Sequence, residues 1–283
     1  MRKVQVFATV VVVAIGLTTL APASWGGDGG LPPPSGPDQG ADGARIRSNT
    51  PTFKTFSSTS LGGTRVVISI HGNITSFASP NNATESYDHI GAGTVEEGYV
   101  LCYTPSGLGQ FNSYDVGWTE SGFGAATTSS GPPVTVTRTT SDGRVRLKQT
   151  FTFSGARRSL QIKMDVTNLT GSTMSGVTIR RHADLDISTG GSSGTGDFAN
   201  DFANTFQAVI AWENYYHGMV MRPMQPVSGS VFGYIVSNVT TSCGFSSWGS
   251  PTIGADLSGA VFAPFGSLAA GATKSLTVIY ERN

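Results

Sequence analysis

The sequence predicts an all-β protein, a large antiparallel β-sandwich built around a meander and carrying long Gly/Ser-rich loops. Apolar and polar residues alternate with a period of two from about residue 51 to the C terminus, which is the pattern of half-buried strands. No stretch of this region sustains the apolar spacing of three and four residues that a helix requires. Charged residues make up 13% of the chain and 37 residues are glycine, a composition typical of exported β proteins.

The clearest strands lie between residues 133 and 187, where they predict an antiparallel meander of four strands. Val145, Leu147 and Phe151 alternate with polar residues in one run, and the segment 141–144 supplies a turn before it. The charged residues expected on the wet face, as cross-strand pairs, are Lys148, Lys163, Asp165 and Arg180. Further strands are expected at residues 65–70, 99–103, 206–212, 231–237 and 274–280.

The N-terminal residues predict export and set the domain boundaries. Arg2 and Lys3 precede an apolar run over residues 10–17, and small residues at 21–23 suit a cleavage site, so residues 1–23 are expected to be a signal peptide. An uncleaved membrane anchor is disfavoured because the run is shorter than the roughly 20 residues that span a bilayer. Residues 24–50 read as a disordered Gly/Pro-rich leader, and residues 51–283 as a single β-sandwich domain. We therefore expect a secreted protein, extracellular or periplasmic, without a membrane span.

The charge balance excludes a nucleic-acid partner. The chain has 18 basic and 18 acidic residues. Removing Arg2 and Lys3 with the signal leaves 18 − 2 = 16 basic residues against 18 acidic ones, a formal charge of −2. This balance predicts no strongly electrostatic partner.

The two cysteines, Cys102 and Cys243, predict one disulfide. An exported protein meets no reducing glutathione pool, so an even pair is free to oxidise. The alternative is two separate buried thiols. Two cysteines alone do not make a thiolate zinc site.

An acidic segment and a later Asn/Asp pair form a candidate calcium site. The proposed ligands are Asp184, Asp186, Asn200 and Asp201, because adjacent carboxylates repel unless a cation neutralises them. The first alternative is that Arg180 and Arg181 pair with these acids. The second is that Asp184 and Asp186 are the two carboxyl groups of a glycoside hydrolase. Glu96 and Glu97, just before an apolar strand, are expected to lie at a solvated strand end, and the alternative is that they supply a remote acid for this cleavage.

Four aromatic residues form a candidate ligand-binding surface. Trp212, Tyr215, Tyr216 and Trp248 have Asn, His and Ser neighbours typical of loops, and exposed rings stack on the apolar faces of sugars. The alternative, favoured for Trp212, is that they belong to the sandwich core.

Other site chemistries find little support in the sequence. The mature chain has no Gly-x-Ser-x-Gly stretch in a strand-turn-helix context and no phosphate-binding glycine loop. The four histidines, His71, His89, His182 and His217, lack metal-ligand spacing, so a metal site would need distant strands. The sequence therefore names no catalytic residue and leans away from an enzyme.

Three segments give the chain a resemblance to a known group. They are Glu97-Gly98-Tyr99 before a cysteine-bearing strand, Arg180-Arg181-x-x-Asp184-x-Asp186 at the end of another, and residues 265–271 before a last strand ending at Tyr280. Over roughly residues 95–283 the chain resembles exported bacterial β-sandwich proteins of uncharacterised function. The resemblance implies the fold and no activity.

These observations favour a secreted noncatalytic β-sandwich protein that binds a glycan or another cell-surface component. The alternatives are a carbohydrate-active enzyme that uses Asp184 or Asp186, and a structural surface or matrix protein.

Overall fold

The computed structural model confirms the all-β, antiparallel fold. It describes residues 51–60, 63–82, 85–90, 97–116, 119–185, 199–203, 208–212, 218–224, 232–236, 241–243 and 258–282. Strands β1 to β18, numbered along the chain, dominate this part and form three antiparallel sheets without an α-helix. All of these residues fall in one compact unit that covers residues 33–283. The predicted boundaries at residues 23 and 50 lie outside the described residues.

The largest sheet has eight strands. In spatial order they are β13 (Ala199–Ala203), β14 (Ala208–Trp212), β15 (Gly218–Pro223), β18 (Thr273–Arg282), β11 (Ser159–Asn168), β10 (Val145–Ser154), β9 (Val134–Thr139) and β8 (Thr127–Ser129). Buried and exposed residues alternate along β10, as the sequence predicts. The turn before β10 is also confirmed: Gly143 has a φ of 74°, and the Asp142 carboxylate accepts a 3.0 Å hydrogen bond from the Arg144 N–H.

The second sheet has six strands. In spatial order they are β16 (Phe232–Val236), β17 (Ser258–Leu268), β12 (Met174–Asp184), β5 (Gly98–Thr104), β6 (Phe111–Val116) and β7 (Thr119–Ser121). Residues of β5 are buried on both faces of the sheet. One face joins the main core through Tyr99 and Leu101, and the other packs Val100 and Cys102 with Cys243.

A third sheet has four strands, β1 (Thr52–Ser58), β2 (Thr64–Ser69), β3 (Ile74–Asn82) and β4 (Glu85–Asp88), in sequence order. Val66, Ile68, Ile74 and Phe77 are buried in the same core as the two larger sheets. Each such side chain contributes about 1.5–3 kcal/mol by leaving water. This burial places the turn between β2 and β3 inside the molecule, where the candidate site is built.

The predicted meander is correct for three strands and wrong for the fourth. β9, β10 and β11 are neighbours in the large sheet, but β12 crosses to the six-stranded sheet and β18 takes the place beside β11. The physical reason is burial: Arg180 to Ala183 are all buried, which needs a central strand covered on both faces. Arg180 is therefore not on a wet face, and its guanidinium donates to the Ser242 carbonyl.

The remaining wet-face residues are paired across strands only in part. Lys148 lies opposite Asp165 in the register of β10 and β11. Lys163 lies 2.9 Å from Asp165, but both residues belong to β11, so this pair is not a cross-strand pair. The predicted disulfide between Cys102 and Cys243 is present and joins β5 to the segment 241–243. The described residues contain no helix that is long and apolar enough to cross a membrane.

Candidate functional site

The turn between β2 and β3 is the centre of the candidate site. Gly72 has a φ of +89°, and a Cβ at this position would lie 2.3 Å from the Gln149 amide nitrogen, so only glycine fits. The turn exposes two carbonyl oxygens to the core. The His71 carbonyl accepts hydrogen bonds from the Tyr99 hydroxyl at 2.9 Å and from Gln149 at 3.1 Å. The Gly72 carbonyl accepts one from Arg181 at 3.0 Å.

A fully buried ion pair lies against this turn. Arg181 Nε is 2.5 Å from the Glu97 carboxylate, and the side chains of both residues are 0% exposed. Arg181 Nη1 also donates to Gln149 at 2.6 Å. The Glu97 carboxylate accepts two further hydrogen bonds, from the Tyr280 hydroxyl at 2.8 Å and from the Ile74 N–H at 2.7 Å. We call Glu97, Gln149, Arg181 and Tyr280 the Arg181 cluster.

The protonation states in the Arg181 cluster follow from burial and charge. Burial raises the pKa of Glu97, while the charge and hydrogen bond of Arg181 oppose the rise. Burial disfavours the charge on Arg181, but Glu97 raises the pKa of the guanidinium above its usual value. Burial, and then the charge of Glu97, hold the pKa of Tyr280 well above 10.0. Tyr280 is therefore a neutral hydrogen-bond donor to a paired carboxylate.

A second charged group lies on the other side of the turn and reaches the surface. His71 Nδ1 is 2.8 Å from the Asp115 carboxylate and 3.1 Å from that of Glu120. Arg138 bridges the same two acids, at 2.5 Å from Asp115 and 3.0 Å from Glu120. The side chains of Asp115 and Arg138 are buried, whereas His71 is 18% and Glu120 49% exposed. We call these four residues the His71 cluster.

The neighbouring groups of the His71 cluster stabilise the negative charge of Asp115. Although burial acts to raise the pKa of Asp115, the His71 hydrogen bond and the Arg138 charge lower it below 3.8. Asn73 contributes by donating to the same carboxylate at 2.6 Å. Asp115 is therefore ionised at neutral pH.

The two clusters meet at Tyr99. Its ring lies 5.8 Å below the Arg181 guanidinium, and its hydroxyl lies 3.5 Å from Arg138 Nη1. Phe123 packs edge-on against the same ring at 5.5 Å and lies under Arg138 at 5.0 Å. A continuous polar network thus runs from the core at Tyr280 to the surface at Glu120.

The His71 cluster has ligand atoms of the kind that metals take, but its charges disfavour a metal. One atom each from His71, Asp115 and Glu120 lies within 4.8 Å of the others. Arg138 already contacts both carboxylates, and a divalent cation beside its guanidinium would be repelled. The arrangement is better suited to orienting His71 and Glu120, the two members that reach solvent, for hydrogen bonding or proton exchange.

The calcium ligands predicted from the sequence are only partly described. Asp184 ends β12 and is half-buried, on the face of the strand opposite to Arg181. The alternative that Arg180 and Arg181 pair with these acids does not hold for Arg181, which pairs with Glu97, and it stays a prediction for Arg180. Asp186 lies outside the described residues. Asn200 and Asp201 lie in β13, where only the backbone is described, so the calcium site stays a prediction.

The predicted aromatic surface is also only partly described. Trp212 ends β14, and its backbone pairs with Ala199 of β13, next to Asn200. This register brings the start of the aromatic group beside two of the predicted calcium ligands. Tyr215, Tyr216 and Trp248 lie outside the described part of the chain, as does the side chain of Trp212.

Sequence reasoning missed both clusters. The prediction that Glu97 lies at a solvated strand end is wrong, since its side chain is 0% exposed. The signal for the Arg181 cluster was present, because Glu97, Arg181 and Tyr280 each lie in or beside one of the three segments that carry the family resemblance. The His71 cluster left no such signal, because the turn before β3 and the strands β6, β7 and β9 contribute one residue each.

Comparisons with known proteins found a similar fold but no matching family. No protein-family model matches the sequence, and no curated protein matches it. A bacterial glucoamylase solved with acarbose is similar in structure, with a TM-score of 0.52 and 10% identity over 83% of this chain and 33% of that one. The chain therefore spans about a third of the length of that enzyme.

Two further solved structures are less similar. The heparan sulfate lyase HepC from Pedobacter heparinus has a TM-score of 0.45 and 9% identity over 83% of this chain and 35% of the lyase. A galactose mutarotase related enzyme from Lactobacillus acidophilus has a TM-score of 0.41 and 12% identity over 81% of this chain and 97% of its own. At 10% identity, the similarity to the glucoamylase shows the fold alone.

Proposed function

We propose that this protein is an exported, noncatalytic β-sandwich that binds a glycan. The observation that carries the proposal is the structural similarity to a part of a bacterial glucoamylase that was solved in complex with acarbose. Fold alone does not determine function, so the proposal also draws on the site chemistry.

The noncatalytic part of the proposal rests on how the buried acids are used. Glycoside cleavage needs two carboxyl groups that both reach the scissile bond. Glu97 and Asp115 are buried, and each is paired with an arginine at 2.5 Å. Because each of these acids is paired with an arginine, we infer that the two charges stabilise the core.

Export and family membership complete the proposal. The Cys102–Cys243 disulfide favours an oxidising compartment, in agreement with the predicted signal peptide. We also propose that the chain belongs to the exported bacterial β-sandwich proteins that it resembles. The contact of Glu97 with Arg181 and Tyr280, which come from the three segments of that resemblance, supports this proposal.

The sugar-binding surface proposed here is the aromatic group of Trp212, Tyr215, Tyr216 and Trp248. The test is an array of bacterial, plant and animal glycans probed with the folded protein, then with Trp212→Ala and Trp248→Ala. We expect at least one glycan to bind, and roughly tenfold weaker binding in one or both variants, because each stacked ring contributes about 1–2 kcal/mol. Leu169→Ala, at a residue that is 43% exposed, is the control and should bind like the wild type.

A carbohydrate-active enzyme is the second candidate, and the His71 cluster favours it. A histidine held between two carboxylates and partly open to solvent has the surroundings of a general acid or base. This candidate predicts release of reducing ends from a polysaccharide by the wild type, and loss of that release in His71→Asn with the melting temperature preserved. Product formation that survives His71→Asn would reject this site.

A further inference from the structure

The disulfide fastens a short surface segment to the outer face of the six-stranded sheet. Cys102 of β5 lies with Val100 in a small apolar cluster that is separate from the main core. Its partner, Cys243, belongs to the segment 241–243, which we call the strap. Cys243 packs against the same small cluster and is half-buried. The disulfide therefore lies outside the main core and close to solvent.

The strap runs across three neighbouring strands. β12, β5 and β6 are adjacent in the sheet, in that order. Arg180 of β12 donates to the Ser242 carbonyl, and Asn112 of β6 donates to the Thr241 carbonyl. The disulfide joins the strap to β5, which lies between these two strands. The register agrees with this arrangement, because Asn112 lies directly opposite Cys102 and so faces the same side of the sheet.

The hydrogen bonds of the strap add little to the hold of the disulfide. Thr241 is half-buried and Ser242 is exposed, and neither brings a large apolar side chain to the sheet. Their carbonyl groups bind water when the strap is released, so the net gain from each hydrogen bond is small. The S–S bond, in contrast, is covalent. We therefore expect the redox state of the two cysteines to decide whether the strap is bound.

The strap can leave the sheet without pulling on a strand. It lies in the connection between β16 and β17, and these strands pair with each other at Val236 and Ser258, the residues that flank the connection. The strand pairing therefore holds both ends of the connection when the strap is released. Among the described residues, the main core includes none from the strap. Release of the strap thus leaves the packing of the main core intact.

We propose that the strap is a redox-controlled closure of this sheet. It is bound to the outer face while Cys102 and Cys243 are joined, and it is released when a dithiol reductant cleaves their bond. In an exported chain the strap is open in a reducing compartment and closes after transfer to an oxidising one. The inference goes beyond glycan binding and does not depend on it.

The opening reaction is a thiol–disulfide exchange. One thiolate of the dithiol attacks the Sγ of Cys243, the less buried cysteine, and forms a mixed disulfide while Cys102 leaves as a thiolate and takes up a proton. The second thiolate of the reductant then attacks the reductant's own sulfur in the mixed disulfide and displaces Cys243, which also takes up a proton. Two electrons have passed to the protein. The dithiol ends as an intramolecular disulfide, and both cysteines end as thiols.

The test measures the order of the strap in the full chain, oxidised and after treatment with dithiothreitol. Backbone ¹⁵N relaxation should give order parameters for residues 241–243 of about 0.85 in the oxidised protein and below about 0.6 in the reduced protein. The amide resonances of β9, β10 and β11 should keep their positions, because these strands lie in the other large sheet. Alkylation followed by mass spectrometry confirms that two thiols have formed in the same sample.

The double variant Cys102→Ala/Cys243→Ala is the matched control. Its strap should have the low order of the reduced wild type, and dithiothreitol should change nothing in it. A strap that keeps its order in the wild type after both thiols have formed would overturn the inference. Reduction that occurs only together with loss of the β9, β10 and β11 resonances would overturn it as well, because the disulfide would then open by global unfolding. Neither measurement involves a glycan, so the proposed function is judged separately.

Discussion

Arg181 keeps its charge in the centre of the protein because the neighbouring groups neutralise that charge or accept its hydrogen bonds. Glu97 neutralises the guanidinium, while Gln149 and the Gly72 carbonyl accept its remaining hydrogen bonds. Tyr280 and the Ile74 N–H then satisfy the Glu97 carboxylate. A buried ion pair adds little over an apolar core when it is complete, but it is costly to break. The cluster therefore specifies how three parts of the chain meet.

Glu97→Gln tests this at the residue scale. The substitution leaves Arg181 charged and buried beside a neutral amide, so we expect the free energy of unfolding to fall by about 3–5 kcal/mol. Lys163→Gln is the control, because the Lys163–Asp165 pair is at the surface, with Lys163 50% exposed, and such pairs contribute about 0–1 kcal/mol. Chemical denaturation measures both. Equal losses of unfolding free energy in the two variants would show that the buried Glu97–Arg181 pair contributes no more than a surface pair.

The lowered pKa of Asp115 predicts that the protein loses stability in acid. Its folded-state pKa lies below the ordinary value of 3.8, because the effects of His71 and Arg138 outweigh that of burial. A carboxyl group whose pKa is lowered by folding stabilises the protein above its unfolded pKa, and that stability is lost as the pH falls through the folded pKa. We expect the unfolding free energy of the wild type to fall more steeply below about pH 4 than that of Asp115→Asn. Parallel pH profiles for the two proteins would contradict this.

The calcium prediction is also tested at single residues. If Asp184, Asp186 and Asp201 bind calcium, chelation lowers the melting temperature, because an ion bound only to the folded state stabilises it. Asp186→Asn should abolish the dependence on calcium and leave the protein folded. A melting temperature that does not change with chelator or with added calcium would exclude the calcium site.

At the scale of elements, the sequence predicted strands well and sheet membership poorly. Period-two alternation located β9, β10 and β11 and their order, because neighbouring strands joined by short turns pair locally. The same alternation cannot say that β12 crosses to another sheet, since its pairing with β5 and β17 joins distant segments. The candidate clusters were hidden for the same reason: their charges look solvated in the sequence and become partners only after the sheets pack.

The disulfide is the element-scale feature that sequence reasoning predicted fully. It ties β5 to the segment 241–243 across a sequence separation of 141 residues. Two hydrogen bonds also join the segment 241–243 to this sheet. Asn112 donates to the Thr241 carbonyl, and Arg180 donates to the Ser242 carbonyl.

Removing the disulfide should therefore destabilise the protein without unfolding it. For the double variant Cys102→Ala/Cys243→Ala we expect a loss of about 2–5 kcal/mol, because the cross-link restricts the unfolded chain. Thiol labelling of the unfolded, unreduced wild type should detect no free cysteine. Two labelled thiols per chain, or an unchanged melting temperature in the double variant, would contradict the account.

At the scale of the whole molecule, the three sheets share one core, and the polar network through Tyr99 links them. The charged groups of the Arg181 cluster lie at the centre of the fold and support packing. The aromatic group proposed for glycan binding begins at Trp212, the last residue of β14 in the large sheet.

The most direct test of this account measures binding and cleavage in one experiment. The folded protein is titrated with the polysaccharides that it retains in affinity electrophoresis, and reducing ends are assayed in the same samples after prolonged incubation. The account predicts saturable binding with no new reducing ends above those in samples without protein. Reducing ends that accumulate in proportion to protein and time, or no saturable binding to any glycan, would contradict it.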